Sequence, residues 1–409
     1  MVKAGITDDV VTFIKDLRQR KLLIDSSEDD DREFLETTSA LECKLNQPTI
    51  LYLMTAQGCN FNCGYCQVPE IARKYGESML SSADAFAGID LWLEHLRDVY
   101  DPNHEYFVIF YGGEPLLNKQ VIWQSLKCLE LKRITGELPA RVNFMIATNG
   151  ALVDEETVTQ CKKHGVMVAV GLDGPKVAND ALKVDTDGQG TFERIIASIR
   201  LLVAGGVRTF VSASITPSNI SEMSKYADFF KELGVEKFGF NFLKGRLLLK
   251  LVGESGLMDY YRQAAQGVIE LARTESGFGF EYQMEKKRNA FDRREFFPVD
   301  CTCYGNQLVI QPDGQISNCP FYKARLGQVG SVGKNFRIWD QPIVQEWRKR
   351  LSLSHPGEAK AMGGGGCAWG SNELKGDPLA VDDSSQIFSE EVLNELIWSR
   401  YDRNQSRKA

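Results

Sequence analysis

Three cysteines within eight residues are the first candidates for chemistry in this chain. Cys59, Cys63 and Cys66 directly follow an apolar run that predicts a β-strand. Three thiolates on one short loop can ligate three irons of a cubane and leave the fourth iron without a protein ligand. A zinc site would ordinarily add a fourth ligand nearby, but His95 and His104 lie far along the chain. The spacing therefore favours an iron–sulfur cluster with one open coordination position.

A second group of cysteines follows later in the chain. Residues 308–316 contain the dipeptide Asp313-Gly314 and predict a hairpin whose two arms bring Cys303 and Cys319 together. Four thiolates suffice to close one [4Fe–4S] cubane, and a Cys₄ zinc site is the competing interpretation. Residues 301–370 hold four cysteines, Cys301, Cys303, Cys319 and Cys367.

Three further cysteines stand alone. Cys128 and Cys161 fall in amphipathic helical stretches, so we interpret both as small core residues. Cys43 has no neighbouring ligand and receives the same interpretation.

The bulk composition restricts the class of protein. The 409 residues are 43% hydrophobic and 25% charged, which is typical of a globular protein in water. No segment approaches the ~18 consecutive apolar residues of a membrane-spanning helix, and the first residues lack the apolar stretch of a secretory signal. A net charge of −7 argues against a nucleic-acid partner. We therefore expect a cytoplasmic protein with neither membrane nor nucleic-acid partners.

The middle of the chain alternates between apolar strands and amphipathic helices, which is typical of parallel βα units. Six units are two short of a complete eight-fold barrel, so an open six-stranded barrel and a doubly wound sheet both fit. In either fold the catalytic loops follow the carboxyl ends of the strands. Strands are predicted at 49–56, 106–111, 142–148, 166–172, 209–216 and 237–243, and helices near 82–99, 119–134, 154–164, 191–204, 220–233 and 257–274.

Changes in composition suggest five segments. A capped amphipathic helix is predicted over 7–24 and one further helix over 389–400, with a polar, basic and mobile end to the chain. The segments are an N-terminal helical segment (1–48), the barrel (49–275), a charged linker (276–300), the second cysteine region (301–370) and a C-terminal tail (371–409).

The first cysteine group resembles the signature of the radical S-adenosylmethionine (SAM) superfamily, CxxxCxxC with an aromatic residue, here Tyr65, before the last cysteine. In that family SAM chelates the fourth iron, and an electron from the cluster releases methionine and a 5′-deoxyadenosyl radical. The resemblance implies a partial (β/α)6 TIM-like barrel. It also implies SAM and a [4Fe–4S] cluster as cofactors, with a reductant such as flavodoxin or ferredoxin as a partner.

Further motifs resemble family elements that face SAM. Gly112-Gly113-Glu114-Pro115 follows the second strand and resembles the element that meets the SAM amino group, where a carboxylate can accept a charge-assisted hydrogen bond. Thr148 and Asn149 follow the third strand, and Asp173 follows the fourth. Ser212 in the fifth strand matches a SAM-contacting position, although a strand hydroxyl satisfied within the protein is an equal interpretation.

The later cysteines resemble the SPASM or twitch extension of this superfamily, a C-terminal domain for auxiliary clusters. Gly314 stands five positions before Cys319, as at the opening of that extension, and Gly364-Gly365-Gly366-Cys367 resembles its end. The two-cluster family places further cysteines in between, but residues 320–366 contain none. The resemblance therefore implies one auxiliary [4Fe–4S] cluster, ligated by Cys301, Cys303, Cys319 and Cys367.

Extensions of this kind belong mostly to enzymes that modify peptides. The helix predicted over 7–24 resembles the last helix of leader-peptide-binding winged-helix domains, which implies a precursor-peptide substrate and allows a small leader-peptide-binding partner protein. A simple packing helix is an equal interpretation. Sulfatase maturases carry an aspartate as base where this chain has Pro320, so that activity is disfavoured.

The favoured function is therefore maturation of a ribosomally made peptide. It would proceed by crosslinking, or by excision of a tyramine unit that leaves an α-keto-β-amino acid, as in the nif11-type splicease group. The sequence identifies no catalytic acid or base on the substrate side. The alternatives are a radical SAM enzyme acting on a small molecule and a non-catalytic iron–sulfur or zinc protein that senses redox state or serves as a scaffold.

Overall fold

The computed structural model describes residues 8–19, 23, 43–68, 70, 76–274, 282–293, 301–322, 324–350 and 366–406. Its strands are β1 (Ile50–Ala56), β2 (Tyr106–Gly112), β3 (Val142–Thr148), β4 (Val166–Gly171), β5 (Thr209–Ile215), β6 (Lys237–Phe242), β7 (Gln307–Ile310) and β8 (Ile316–Ser317). The six strands predicted from the sequence are confirmed, each to within one residue at either end.

The helices alternate with the first six strands and then follow them. They are α1 (Asp8–Gln19), α2 (Ser82–Val99), α3 (Lys119–Ile134), α4 (Glu155–His164), α5 (Lys176–Asp180), α6 (Phe192–Ala204), α7 (Tyr226–Glu232), α8 (Arg246–Thr274), α9 (Tyr282–Arg293), α10 (Pro342–Arg348), α11 (Ala368–Lys375) and α12 (Asp383–Ser406). None of the described helices is long and apolar enough to cross a membrane.

The order of the strands decides between the two predicted folds. The sheet runs β6-β5-β4-β3-β2-β1-β7-β8, and the first six strands are parallel neighbours in chain order. A doubly wound sheet would reverse its direction at a switch point. The fold is therefore the open six-stranded radical SAM-like barrel, extended at its β1 edge.

The two faces of the sheet differ in burial. Leu53, Phe110 and Ile146 belong to the fully buried series, which packs with the helices in the main core. The alternate residues, such as Tyr111 and Ser212, are only partly buried and line the inner face. Because the strands are parallel, all six carboxyl ends lie at one edge, where the predicted functional loops meet.

The second cysteine region continues the same sheet. Leu308 on β7 pairs with Leu51 on β1 in parallel, and β8 returns antiparallel to β7. The connecting turn contains Gly314 with a φ of 75°, a conformation that favours glycine. The predicted hairpin is confirmed, and its pairing places Cys303 and Cys319 beside the first barrel strand.

Two segments are more ordered than their composition predicts. Helix α9 lies within the predicted linker, where Met284, Lys287 and Phe291 form a buried stripe at helical spacing among exposed charges. Helix α12 is twice as long as the predicted 389–400 and packs against α8 and α9. The expectation of an irregular linker is therefore wrong over 282–293, whereas the helix predicted over 389–400 is confirmed and extends further at both ends.

Two helices of the barrel region also differ from the prediction. Helix α8 begins at Arg246 rather than near residue 257, because Gly253, with a φ of 71°, joins an unpredicted first part to the predicted second. The element predicted over 220–233 is shorter, with a single turn at Met223–Lys225 followed by α7.

The N-terminal helix packs against the C-terminal one. Phe13 of α1 contacts Tyr401 of α12 with ring centroids 5.2 Å apart, and Arg400 Nε lies 3.0 Å from Asp16 Oδ2. These contacts support a packing role for α1, while a role in leader recognition stays a prediction. The rest of the predicted helix over 7–24, apart from Leu23, lies outside the described residues.

A buried histidine connects α2 to the C-terminal region. His95 Nδ1 donates to the Leu91 carbonyl at 2.8 Å, which leaves Nε2 to accept from the Ile338 amide at 3.0 Å. The bond that Nε2 accepts requires the neutral ring. Burial lowers the pKa of His95 to about 4, despite the opposing effect of the bond to Leu91.

Acidification should therefore weaken the fold through this residue. In the unfolded chain His95 has its ordinary pKa of ~6.5. Between that pH and the lower pKa of the folded protein, the unfolded chain binds a proton that the folded protein does not. The stability present above pH ~6.5 is therefore lost as the pH falls. The free energy of unfolding in urea should drop by on the order of 3 kcal/mol more in the wild type than in His95→Gln between pH 7 and pH 4. His104→Gln is the control and should keep the wild-type slope; equal slopes for wild type and His95→Gln would contradict this role.

Candidate active site and second thiol cluster

The first cysteine loop follows β1 and is held from the opposite side by the segment after β4. The amide of Asn62 donates to the Val184 carbonyl and the amide of Gly64 to the Leu182 carbonyl, both at 2.8 Å. These bonds fix the loop between two carboxyl-end connections of the barrel.

Two of the three thiols of this loop receive hydrogen bonds from backbone amides. The amides of Phe61 and Val68 approach the sulfurs of Cys59 and Cys66 at 3.4 and 3.5 Å. Burial raises the pKa of Cys59 and of Cys63 to about 12, and that of Cys66 to about 11. Thiolates in such surroundings need a nearby positive charge, and bound iron would supply it. The donor set fits the predicted cluster.

Gly112 and Gly113 allow the end of β2 to lie in close contact with the backbone that leads from β1 into the cysteine loop. Gly113 donates to the Ala56 carbonyl at 2.8 Å. A Cβ on Gly112 would lie 2.3 Å from the Ala56 oxygen, and one on Gly113 would lie 2.1 Å from the Gly58 oxygen. No larger residue fits this contact without moving backbone.

Glu114 connects the loops after β2 and β3. Its fully buried carboxylate accepts from Thr148 Oγ1 at 2.6 Å, from the Asn149 amide at 2.8 Å and from the Leu116 amide at 3.0 Å. Burial raises the pKa of Glu114 in spite of these bonds. Asn149 Nδ2 in turn lies 3.5 Å from Cys59 Sγ. Three acceptor positions of the carboxylate are thus used within the chain, and its contact with SAM stays a prediction.

A buried network joins Tyr65, Asp173 and Lys183. The Tyr65 hydroxyl donates to Asp173 Oδ2 at 2.5 Å, and Asp173 Oδ1 accepts from the Ser214 amide at 2.9 Å. Lys183 Nζ lies 3.3 Å from Asp173 Oδ1 and donates to the Gly171 carbonyl at 3.1 Å. The two charged side chains are 7% and 1% exposed, so the ion pair is shielded from water. The positive charge of Lys183 partly offsets the effect of burial on the pKa of Cys63.

Ser212 lies on the inner face of β5. Its hydroxyl accepts from Asn241 Nδ2 at 2.7 Å, so it has a partner within the protein, and contact with SAM stays a prediction. Sequence reasoning missed both Asn241 and Lys183. A lone polar residue carries no local signal of where it points, and only the fold brings these side chains to the site.

The second cysteine group forms a small core of its own. Cys303 and Cys319 are buried with Leu45, Tyr304 and Trp347, and Cys301 packs against them. The pKa of Cys303 is raised by burial and further by the other three thiols of the group. The four thiols predicted from the sequence to act as ligands are therefore close enough to affect one another's ionisation.

Two buried polar atoms near these thiols lack partners. Trp347 Nε1 and Asn318 Oδ1 make no hydrogen bond within the described parts of the chain, although Asn318 Nδ2 donates to the Cys303 carbonyl at 3.0 Å. An unpaired indole N–H in the same small core suits a cluster sulfide as acceptor. Among the described residues, no three His, Cys, Asp or Glu side chains are arranged to hold one metal ion. A cubane distributes its thiolates over four irons, so they need not converge on a single point.

An ion pair secures the last of these cysteines. Lys244, two residues after β6, places Nζ 2.7 Å from Asp382 Oδ2, and the same oxygen accepts from the Cys367 amide at 2.8 Å. Burial alone would raise the pKa of Asp382, but Lys244, Ser384 and the Cys367 amide hold it well below its usual range. Gly364 and Gly365 of the predicted motif lie outside the described residues.

With the geometry established, comparison with known proteins identifies the domain. The family model described as "Radical SAM superfamily" matches residues 53–230. This segment is a radical SAM domain. The predicted use of SAM and a [4Fe–4S] cluster is thereby confirmed for this domain.

Relatives and a solved structure extend the similarity. The chain is 24% identical over 313 residues to a cysteine-type anaerobic sulfatase-maturating enzyme of Clostridium perfringens, covering 69% of this chain and 77% of that one. It is 23% identical over 298 residues to the radical SAM cyclopropyl synthase TigE of Paramaledivibacter caminithermalis, covering 69% and 59%. Among curated relatives the matched span ranges from 37% to 77% of their own length.

The solved structure described as native anSMEcpe with bound AdoMet and Cp18Cys peptide shares the fold. It is 20% identical, with a TM-score of 0.66, and the match covers 86% of this chain and 98% of that one. The likeness therefore includes the barrel and its C-terminal extension.

The buried ion pair gives a direct test of the cysteine loop. Asp173→Asn leaves the Lys183 ammonium buried without its counter-charge, so the free energy of unfolding should fall by about 3–5 kcal/mol. Iron retained after reconstitution should fall as well, since the loop loses support. Asp228→Asn removes an 85% exposed partner of Lys231 and is the control; it should change stability by less than about 1 kcal/mol.

Adding Lys183→Met to Asp173→Asn removes the orphaned charge and should recover part of the lost stability. No recovery, or an Asp173→Asn variant as stable as the control, would show that the pair does not support the loop.

Proposed function

We propose that this enzyme uses the 5′-deoxyadenosyl radical to modify a ribosomally made precursor peptide. The observation that carries the proposal is the parallel pairing of β7 with β1, which places a second buried thiol group beside the barrel that holds the first. A substrate radical formed in the barrel would then have an electron acceptor close by. Reactions that oxidise the substrate need such an acceptor.

The similarities support a peptide or protein as the substrate class. One relative is named for maturating sulfatases, and a structure of the same fold was solved with a peptide. The relative TigE is named a cyclopropyl synthase. A leader-binding partner protein and a flavodoxin- or ferredoxin-type reductant are further parts of this proposal.

The geometry supports the following site assignments. Cys59, Cys63 and Cys66 would hold the first cluster, whose open iron takes SAM. When bound, these groups supply a radical that removes a hydrogen atom from the substrate. Glu114 keeps the loop at Thr148 and Asn149 in place beside them.

A second [4Fe–4S] cluster would be held by Cys301, Cys303, Cys319 and Cys367. All four belong to the second cysteine region predicted over 301–370. Bound there, it would supply the electron acceptor. Asp382 does not offer a catalytic base beside it, because its carboxylate already accepts from Lys244, the Cys367 amide and two serines. Both crosslinking and tyramine excision remain within the proposal.

The cofactor assignment is tested by replacing each cysteine set. Anaerobically reconstituted enzyme with dithionite and SAM should release 5′-deoxyadenosine, and alanine at Cys59, Cys63 and Cys66 should abolish release and remove roughly half of the iron. Alanine at the four later cysteines should remove roughly the other half. The control Cys128→Ala, a half-buried cysteine outside both groups, should retain full iron and activity.

Iron content unchanged by the four later replacements would overturn the auxiliary cluster. Absence of 5′-deoxyadenosine from iron-loaded wild type would overturn the assignment of catalysis to this site.

The substrate class is tested by coexpression with short open reading frames beside the gene, followed by mass spectrometry of the peptides. Crosslinking should remove two hydrogens, about 2 Da, and excision a tyramine-sized fragment, as expected for hydrogen abstraction followed by oxidation. Peptides of unchanged mass and unchanged stereochemistry throughout would favour a small-molecule substrate instead.

A further inference from the structure

Tyr111 lies near both thiol groups. It lies on the inner face of β2, directly before Gly112, and is partly buried. Its pKa is raised by burial and further by the thiols of Cys66, Cys319 and Cys59. The phenol therefore lies near cysteines of both groups, and Phe321, two residues after Cys319, contacts its ring.

Aromatic side chains continue from Tyr111 in both directions. Its ring contacts Tyr52 of β1 and Phe321 edge to face, with centroids 6.2 and 6.1 Å apart, and Phe321 contacts Trp369 at 5.4 Å. Phe321 stands two residues after Cys319, and Trp369 two residues after Cys367. We call Tyr52, Tyr111, Phe321 and Trp369 the aromatic wall.

The described residues leave part of the ring surface of the aromatic wall exposed and two of its hydroxyl groups without a hydrogen bond. Phe321 is 38% exposed, although it adjoins the buried thiol core. Tyr52 and Tyr111 are only partly buried, and their hydroxyls have no hydrogen bond with another described residue. An open ring surface beside two available phenol donors can bind an apolar side chain and, next to it, a backbone carbonyl.

We propose that the aromatic wall binds the reacting residue of the peptide substrate and selects a bulky apolar or aromatic side chain. This inference rests on the proposed function. Edge-to-face contacts favour a further ring or branched alkyl group, whereas an ammonium or carboxylate would lose its hydration without a counter-charge. Lys244, which lies against Gly370 beside the wall, is already paired with Asp382. Tyr111 and Phe321 are positioning residues in this scheme.

The test uses blocked tripeptides, acetyl-Gly-X-Gly-amide, in which X is deuterated Phe, Leu, Lys or Asp. Reconstituted full-length enzyme, SAM and dithionite are incubated with each peptide, and deuterium in the released 5′-deoxyadenosine is measured by mass spectrometry. The Phe and Leu peptides should transfer deuterium at least about tenfold faster than the Lys and Asp peptides at equal concentration, since a buried charge is costly.

The variants separate positioning from folding. Phe321→Ala should raise the KM for the Phe peptide about tenfold with little change in kcat, because apolar contact surface is lost, and Phe321→Leu should restore most of it. Tyr111→Phe should raise the KM several-fold by removing a hydrogen-bond donor. Tyr100→Phe and Trp398→Ala, at exposed positions outside the wall, are the matched controls and should behave as wild type.

Iron content should be the same in all variants, which excludes misfolding. Equal deuterium transfer from the Lys and Phe peptides, or an unchanged KM in Phe321→Ala, overturns the inference but leaves the proposed function standing. Transfer from none of the peptides while SAM is still cleaved counts against both.

Discussion

Strand β1 pairs on both sides, and the relation between the two thiol groups depends on that pairing. Its parallel bonds to β2 and β7 place the ends of three strands at fixed spacings. The first cysteine loop leaves β1, the glycine motif ends β2, and the region of Cys319 follows the β7 hairpin. A slip of one residue between adjacent strands would turn every buried side chain to the opposite face of the sheet. The register is therefore fixed, and the backbone hydrogen bonds set the separation of the two sites.

Polar side chains then connect loops that the sheet only brings near one another. Glu114 joins the ends of β2 and β3, and Asp173 joins the β4 loop to Tyr65 and to β5. Both carboxylates are almost completely buried and accept several hydrogen bonds each. The removal of either would leave donors unsatisfied in the interior, so these residues have a structural role whatever they contact during catalysis.

Sequence reasoning succeeded where the signal was local. The six barrel strands are continuous apolar runs, and the Asp-Gly turn predicted that Cys303 and Cys319 approach each other. Helix α9 was missed because charged residues surround its buried stripe. The pairing of β7 with β1 was also missed, since Thr49 and Asn306, which meet there, lie 257 residues apart. The burial of Lys183 and the contact of Tyr111 with Phe321 likewise depend on tertiary packing, which leaves no spacing pattern in the sequence.

The β1–β7 pairing also has a consequence for synthesis on the ribosome. Strand β1 is made early, but its second neighbour emerges only after the whole barrel sequence has been translated. During that interval β1 is an edge strand with unpaired backbone groups and apolar side chains, the kind of edge that invites pairing with other chains. The nascent protein thus depends on late closure of this edge, and the same event completes the surroundings of both thiol groups.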